Sequence, residues 1–356
     1  MNLTVVGTGL IGGSVGLAAR HRLGAHVRGV GPEAERAVAR GAADEAVPLH
    51  DAVGDADAVF VAVPVGDLAE TVAAVLAAAP AGCVVTDVGS TKRAVVAGCD
   101  DQRFVGGHPL AGGEAAGVDH AREDLFDGQT WYLTPTAATS GVLLERLHRT
   151  ITALGARPAV IDAETHDDLM AAVSHLPHVL ANLLVSQAAR ALGGESGPPV
   201  LPQTGPSFRD ATRVAGAHPA LWEGIYLANR DALRAAIDQT VAALGEVRGA
   251  LERGDGGWLG EWQRAAAADR RALMEAGLAG GPTRELRAAV PNRPGVIADL
   301  ALTLGRAGIN ISDMALSPSP DNTTGEVALW VPAPAADRAA GLLAGLGFDV
   351  REGEGE

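Results

Sequence analysis

Leu3-Thr4-Val5-Val6-Gly7-Thr8-Gly9-Leu10-Ile11-Gly12 is a short apolar run that breaks into a G-x-G-x-x-G hexapeptide and then continues as a helical stretch through Ser14, Val15, Leu17 and Ala18. A strand feeding a glycine loop and a helix is the opening of a dinucleotide-binding βαβ unit. The glycines allow a tight turn, close backbone approach to a pyrophosphate, and close packing of helix on strand. The helix N-terminus adds N–H donors and the positive end of its dipole. The cofactor site read here comprises Gly7, Thr8, Gly9, Leu10, Ile11 and Gly12, with Val63 closing a later strand.

The second strand of such a unit normally ends in an acid that holds the ribose. Here it ends Arg28-Gly29-Val30-Gly31-Pro32, without that acid. Glu33 or Glu35 can substitute for it, whereas Arg36 or Arg40 would favour a 2′-phosphate, although each taken singly reads as a solvated charge on a helix face. NAD is the cofactor expected, with NADP left open.

Outward from this loop, short β-rich runs alternate with Ala/Leu-rich helical stretches as far as about Val160, the pattern of a parallel sheet wrapped by helices. The expected strands are Leu3 to Val6, His26 to Val30, Ala58 to Val63, Val84 to Asp87, Phe104 to Gly107, Trp131 to Thr134 and Pro158 to Ile161. From Asp162 to Ala276 apolar residues recur at three- and four-residue spacing, which predicts helices, with breaks at Gly193 to Leu201 and Arg253 to Gly257. A Gly-rich linker, Gly277 to Pro282, precedes a βαββαβ pattern: strands Arg284 to Val290, Asn310 to Leu316, Glu326 to Val331 and Phe348 to Arg351, helices Gly295 to Ala307 and Ala335 to Leu346. The fold class is therefore α/β: a Rossmann-like doubly wound sheet over 1–161, an all-helical domain over 162–276, and a small βαββαβ domain over 283–352.

A chain of 356 residues supports several cores. The formal charge of −15, with no basic run interleaved with aromatics, argues against nucleic acid and anionic membranes as partners. The apolar runs, such as Val72 to Val85, are interrupted and are expected to be too short to cross a bilayer. No basic segment precedes the first strand, so a cytoplasmic protein is expected. Cys83 and Cys99 are the only cysteines, which leaves no disulfide framework or multi-cysteine metal site, and both are read as buried thiols. Lys92 is the only lysine.

Three further segments carry chemistry. Asp87-Val88-Gly89-Ser90-Thr91-Lys92 and Gly106-Gly107-His108-Pro109-Leu110-Ala111-Gly112-Gly113-Glu114 each follow an apolar strand, at the strand ends where open α/β sheets bind ligands. Taken alone, Ser90 reads as a helix N-cap, and His108 as a base or a buried loop residue. In the helical region, His166, His175 and His178 fall in one span, but their spacing, without cysteine or a His-Glu-x-x-His pattern, is a poor metal signature, and no metal is expected. Gly205 to Arg213 is a polar segment before a helix, and Arg213 suits a bidentate grip on a carboxylate, although taken alone it reads as a surface charge.

Together, Gly7 to Gly12, Asp87 to Lys92, Gly107-His108-Pro109-Leu110-Ala111-Gly112, Val173-Ser174-His175-Leu176-Pro177-His178 and Phe208 to Arg213 resemble the prephenate dehydrogenase family, which includes arogenate and cyclohexadienyl dehydrogenases. The C-terminal module is similar to an ACT domain, with Pro291-Asn292-Arg293-Pro294-Gly295 and Gly308-Ile309-Asn310-Ile311 at its turns. The resemblance implies oxidative decarboxylation of prephenate to 4-hydroxyphenylpyruvate in tyrosine biosynthesis. It gives His108 the task of accepting the C4 hydroxyl proton, with Ser90 orienting the pair. It assigns His178 and Arg213 to the substrate carboxylates, Glu114 to a gating acid, and Asp210 to the neighbouring ionic network.

Gly113 stands where family members often carry threonine or serine, which leaves arogenate as an alternative substrate. The resemblance also implies a homodimer built on the helical domain, with apolar faces from Leu176 to Leu192 and Leu221 to Leu251. It implies feedback by tyrosine at Asn292, Pro294, Gly295, Ile309 and Asn310. A β-hydroxyacid dehydrogenase is disfavoured because the interdomain helix carries no lysine. A nucleotide-linked amino-acid sensor without catalysis is the alternative from another class.

Overall fold

Among the described residues of the computed structural model (1–113, 115–192, 204–277, 282–319 and 323–353), the N-terminal half forms one sheet of eight strands. These are β1 (Asn2–Val6), β2 (His26–Val30), β3 (Glu45–Ala46), β4 (Ala58–Val61), β5 (Val84–Asp87), β6 (Phe104–Pro109), β7 (Thr130–Thr134) and β8 (Arg157–Val160). Their order is β3-β2-β1-β4-β5-β6-β7-β8, so the winding reverses at β1 and β4 and opens a crevice at their C-terminal ends. Every residue of β4 and of β5 is buried, as continuous apolar runs covered on both faces require. One buried cluster, around Val59, Val72 and Phe104, lies on one face, and another, around Phe60, Trp131 and Leu147, lies on the other.

Two sequence expectations need correction here. The sheet is mixed, because β7 runs antiparallel to β6, with His108 opposite Tyr132. That pairing extends β6 to Pro109, so His108 lies within the strand rather than after it. The two-residue β3 was not foreseen; it lies at the sheet edge, where two ladder pairs replace an apolar signal.

The middle region is helical: Ala163–Met170, Leu176–Leu192, Pro206–Thr212, Pro219–Ala228, Arg230–Arg253 and Gly256–Gly277. Asp162 starts the first of these by accepting the Thr165 backbone N–H at 2.9 Å. A π-helical turn, Ala171–His175, joins Ala163–Met170 to Leu176–Leu192. The resulting run, Ala163–Ala191, is long and apolar enough by composition to cross a membrane, which overturns the expectation that no stretch reaches that length. Its opening turns nevertheless bury His166 and Asp167 against the N-terminal half and His175 against Asn229 and Trp222. Leu183, Leu184 and Val185 stand exposed, as do Leu221, Leu227, Val241, Leu244 and Leu251 on the later helices. The expected break at Gly193 to Leu201 and most of the linker Gly277 to Pro282 lie outside the described residues.

The C-terminal module forms an antiparallel sheet, β10-β11-β9-β12, from β9 (Thr283–Pro291), β10 (Asp313–Pro318), β11 (Thr324–Pro332) and β12 (Asp349–Glu352). Its helices are Val296–Arg306 and Ala336–Gly345. β10 begins at Asp313, three residues later than Asn310, because Ile309 and Ile311 are buried in the turn instead. The module shares a continuous buried cluster with the N-terminal sheet through helix Gly141–Ala153. His148 on that helix lies 3.2 Å from the Ile311 carbonyl, and Gly295 donates its backbone N–H to Thr139 at 3.2 Å.

Candidate active site

The glycine loop closes over β4. Gly7 has φ +92°, and a Cβ there would stand 2.4 Å from the Ala62 carbonyl, so only glycine fits. A Cβ on Gly12 would meet the Gly7 carbonyl at 1.9 Å. Helix Leu10–Leu23 then opens with its N–H groups facing the crevice and no acidic residue in its first turn. The Thr8 hydroxyl is buried there without a hydrogen-bond partner among the described residues, which marks a polar group awaiting a ligand. Val63 follows β4 beside Gly7. These features fit a bound dinucleotide. At the ribose end, Glu33 accepts the Val118 backbone N–H at 2.9 Å, Arg36 pairs with Asp119, and Arg40 donates to the Asp119 carbonyl at 3.0 Å.

Asp87, at the end of β5, ties the Ser90 loop to the part of β6 that carries His108. Its carboxylate accepts Gly107 N–H at 3.0 Å, Gly89 N–H at 2.8 Å and the Lys92 ammonium. Lys92 is fully buried; desolvation pulls its pKa down while Asp87 pulls it up, and the net direction is down. A side chain at Gly107 would reach within 2.5 Å of the Asp87 carbonyl, so the residue before His108 must be glycine. Ser90 sits half-buried in a bend. It is not the N-cap expected from sequence, because the helix Arg93–Ala97 begins after Lys92 and has no side-chain cap.

His108 is 8% exposed. Burial, followed by the neighbouring His166, Lys92 and His175, holds its pKa well below the usual imidazole value, so the ring is neutral near pH 7. Its Nδ1 lies 2.9 Å from His166 Nε2, and His166 Nδ1 lies 2.8 Å from Asp167 Oδ1. Asn229 donates to the Asp167 carbonyl at 2.7 Å and lies 3.1 Å from His175 Nδ1. Burial pushes His175 down to about 4.

Further along the same helical run, His178 stacks on Trp222, with ring centroids 3.3 Å apart and 26° between planes. Burial and the adjacent Arg213 charge lower its pKa, which places Arg213 beside it. Arg213 and Asp210 are both exposed on the Gly205 to Gly216 segment. Glu114 lies outside the described residues. A cleft of about 270 Å³ separates Pro64–Asp67 of the nucleotide-binding half from helix Pro219–Ala228, which carries Trp222. Of the five turn residues read as regulatory, Asn292, Pro294 and Asn310 are exposed and Gly295 and Ile309 are buried.

Sequence reading passed over several residues of this centre. His166 was noticed only in a metal pattern, and Lys92 only for its rarity. Asp167, Asn229 and Trp222 gave no signal; an acid next to a histidine on a helix that carries buried polar groups was the available clue.

Known proteins give the arrangement a context. Residues 18–160 match the family model "Prephenate dehydrogenase, nucleotide-binding domain", 162–264 match "Prephenate dehydrogenase, dimerization domain", and 284–346 match "ACT domain". A prephenate dehydrogenase from Bacillus subtilis is 31% identical over 225 residues, covering 63% of this chain and 60% of that protein. A cyclohexadienyl dehydrogenase from Zymomonas mobilis is 37% identical over 169 residues, covering 48% of this chain and 57% of that protein. The chain thus spans about 60% of the length of these sequence relatives. A solved prephenate dehydrogenase from A. aeolicus, in complex with hydroxyphenyl propionate and NAD+, superposes with TM-score 0.71 at 29% identity, over 77% of this chain and 98% of that one. The arogenate dehydrogenase of Synechocystis does so with TM-score 0.67 at 30% identity, over 77% and 100%. Three consecutive family matches and a full-length structural relative at 30% identity agree with the motif order read from Gly7 to Arg213, and the chain belongs to the prephenate dehydrogenase family, with an ACT domain at its C-terminal end.

Proposed function

We propose that this protein is an NAD-dependent prephenate dehydrogenase that forms 4-hydroxyphenylpyruvate and CO2. The observation that carries the reading is His108: a buried, neutral imidazole whose Nδ1 is engaged from behind, on the strand adjacent to the Ser90 loop. Bound NAD+ supplies the hydride acceptor for the hydrogen on C4 of the substrate ring. His108 Nε2 accepts the hydrogen bond from the C4 hydroxyl and takes its proton as the oxygen becomes carbonyl-like. When the carboxylate is lost, its bonding electrons make the ring aromatic, and the proton returns from His108 to leave a phenol. Ser90, half-buried at the mouth of the loop, orients the hydroxyl.

Prephenate is a dianion, and Arg213 and His178 form the polar end that receives carboxylates, with Asp210 and Glu114 in the surrounding ionic network. NAD rather than NADP is favoured by the Glu33 carboxylate, in the turn that follows β2, which would repel a 2′-phosphate. The apolar residues exposed on helices Leu176–Leu192 and Arg230–Arg253 support a homodimer. Tyrosine is the proposed effector at the Asn292 to Gly295 and Ile309 to Asn310 turns, and the cytoplasm the proposed compartment. A steady-state assay crossing prephenate and arogenate with NAD+ and NADP+ tests the reading. Turnover is expected with prephenate and NAD+; no turnover of either substrate would reject it, and turnover of arogenate alone would reassign the substrate.

A further inference from the structure

The mechanism above uses one face of His108 and leaves the other unexplained. That face meets His166, which is fully buried on helix Ala163–Met170 and contacts no surface. Behind His166 stands Asp167, also fully buried, whose two carboxylate oxygens further accept the backbone N–H groups of Lys92 at 2.7 Å and Arg93 at 2.9 Å. A buried histidine pair ending on a carboxylate is more than a way to fill space, because the hydrogen-bond inventory of the three groups permits few proton arrangements.

Desolvation raises the Asp167 pKa, but His166 and the two backbone N–H groups outweigh it, so the group is an ionised acceptor. Nδ1 of His166 must therefore carry the hydrogen it shares with Asp167. Burial keeps His166 neutral, which leaves a lone pair on its Nε2. The 2.9 Å contact with His108 then requires the hydrogen on His108 Nδ1. His108 Nε2 is left as the lone-pair nitrogen, the tautomer that a base for the C4 hydroxyl needs.

We propose that His166 and Asp167 are positioning residues that fix the tautomer of His108 and hold the proton it borrows. The inference rests on the prephenate dehydrogenase reading for its chemistry, but its geometry is independent of it. In the reaction, the substrate O–H bond breaks and an Nε2–H bond forms on His108. The Nδ1 proton shifts onto His166 Nε2, and the positive charge comes to rest against Asp167. Aromatisation reverses both transfers and the proton returns to the phenol oxygen, so the relay ends as it began. The other titratable groups facing the pair are Lys92 and Asp87 from the Ser90 loop, His175 from the following turn, and Tyr132, whose ring lies edge-on to His166 at 5.6 Å.

The test combines kinetics with nitrogen NMR of the full-length protein. In the wild type, long-range proton–nitrogen spectra should show His108 protonated at Nδ1 and bare at Nε2; the opposite tautomer would overturn the proposal without any mutant. His166→Leu should lower kcat by roughly 10²-fold while the KM for prephenate and the affinity for NAD+ stay within about twofold. His166→Gln, whose amide oxygen can still accept from His108 Nδ1, should recover part of that loss. A folded, NAD+-binding His166→Leu variant with unchanged kcat would remove the relay and leave the prephenate reading intact. Absence of turnover in the wild type would remove that reading, and the tautomer measurement would still decide the relay.

Discussion

His108 and His178 are both proposed to meet the substrate, yet their surroundings differ. The first is buried, wired through His166 to Asp167, and held neutral by desolvation. The second is stacked on Trp222 beside an exposed arginine. A base must present one defined lone pair, so its environment is dry and its hydrogen bonds are saturated. At the proposed carboxylate-binding end, the charge that waits for the ligand is the Arg213 guanidinium, and keeping it near water avoids the penalty that burial imposes. The comparison predicts that damage at the dry end appears in kcat or folding, and damage at the wet end in KM.

The largest expected effect tests the dry end directly. His108→Asn keeps a polar group of similar reach but no base, and should lower kcat on the order of 10³-fold, about 4 kcal/mol. Dinucleotide binding, measured by fluorescence or calorimetry, should be nearly unchanged. A comparable rise in KM instead would place His108 with the binding groups and dissolve the contrast.

Next comes Lys92, buried with Asp87 between the Ser90 loop and β6. Lys92→Met preserves length and apolar volume but leaves a buried carboxylate without its cation, which costs about 3–5 kcal/mol. Denaturant unfolding should show that loss, with little change in m-value. A stability change below about 1 kcal/mol would mean that water reaches Asp87 and that this end is less dry than described.

At the wet end, Arg213→Ala should raise the KM for prephenate by about 10- to 100-fold, the worth of one charged hydrogen bond, with a much smaller change in kcat. Arg213→Lys should recover only part of the loss, since an ammonium cannot grip a carboxylate bidentately. An unaltered KM would move carboxylate recognition away from this residue.

The same contrast governs what could be read before the structure. His26–Val30 and Val84–Asp87 emerge with the bounds the sequence predicts, because an apolar run between a helix and a turn is a local signal. The extension of β6 through His108 was not legible, since it depends on antiparallel pairing with β7, 20-odd residues later. Ser90, His108, His178 and Arg213 could be nominated from ordered motifs. His166 and Asp167 were not, because their significance arises only when helix Ala163–Met170 folds against the Ser90 loop and buries both groups. The exposed leucines of the helical region illustrate the same limit: periodicity announced the helices, but not whether their apolar faces would be covered within the chain.

The smallest expected effect concerns the whole dry end under acid. His108, His166 and His175 there, and His148 at the contact with the C-terminal module, all have pKa values below 6.5 in the folded protein, chiefly through burial. Between the folded and unfolded values the unfolded chain binds more protons, so stability rises with pH there and is lost as pH falls below about 6.5. For His175, lowered to about 4, the loss between neutral pH and pH 5 is on the order of 2 kcal/mol. Chemical unfolding at pH 7.5 and at pH 5 should show at least this difference, and His175→Gln, which keeps a polar partner for Asn229 without a titrating ring, should reduce it. If the slope with pH is the same in that variant, the acid sensitivity belongs to the other buried histidines, and His175 sits in a wetter environment than the one that shields His108.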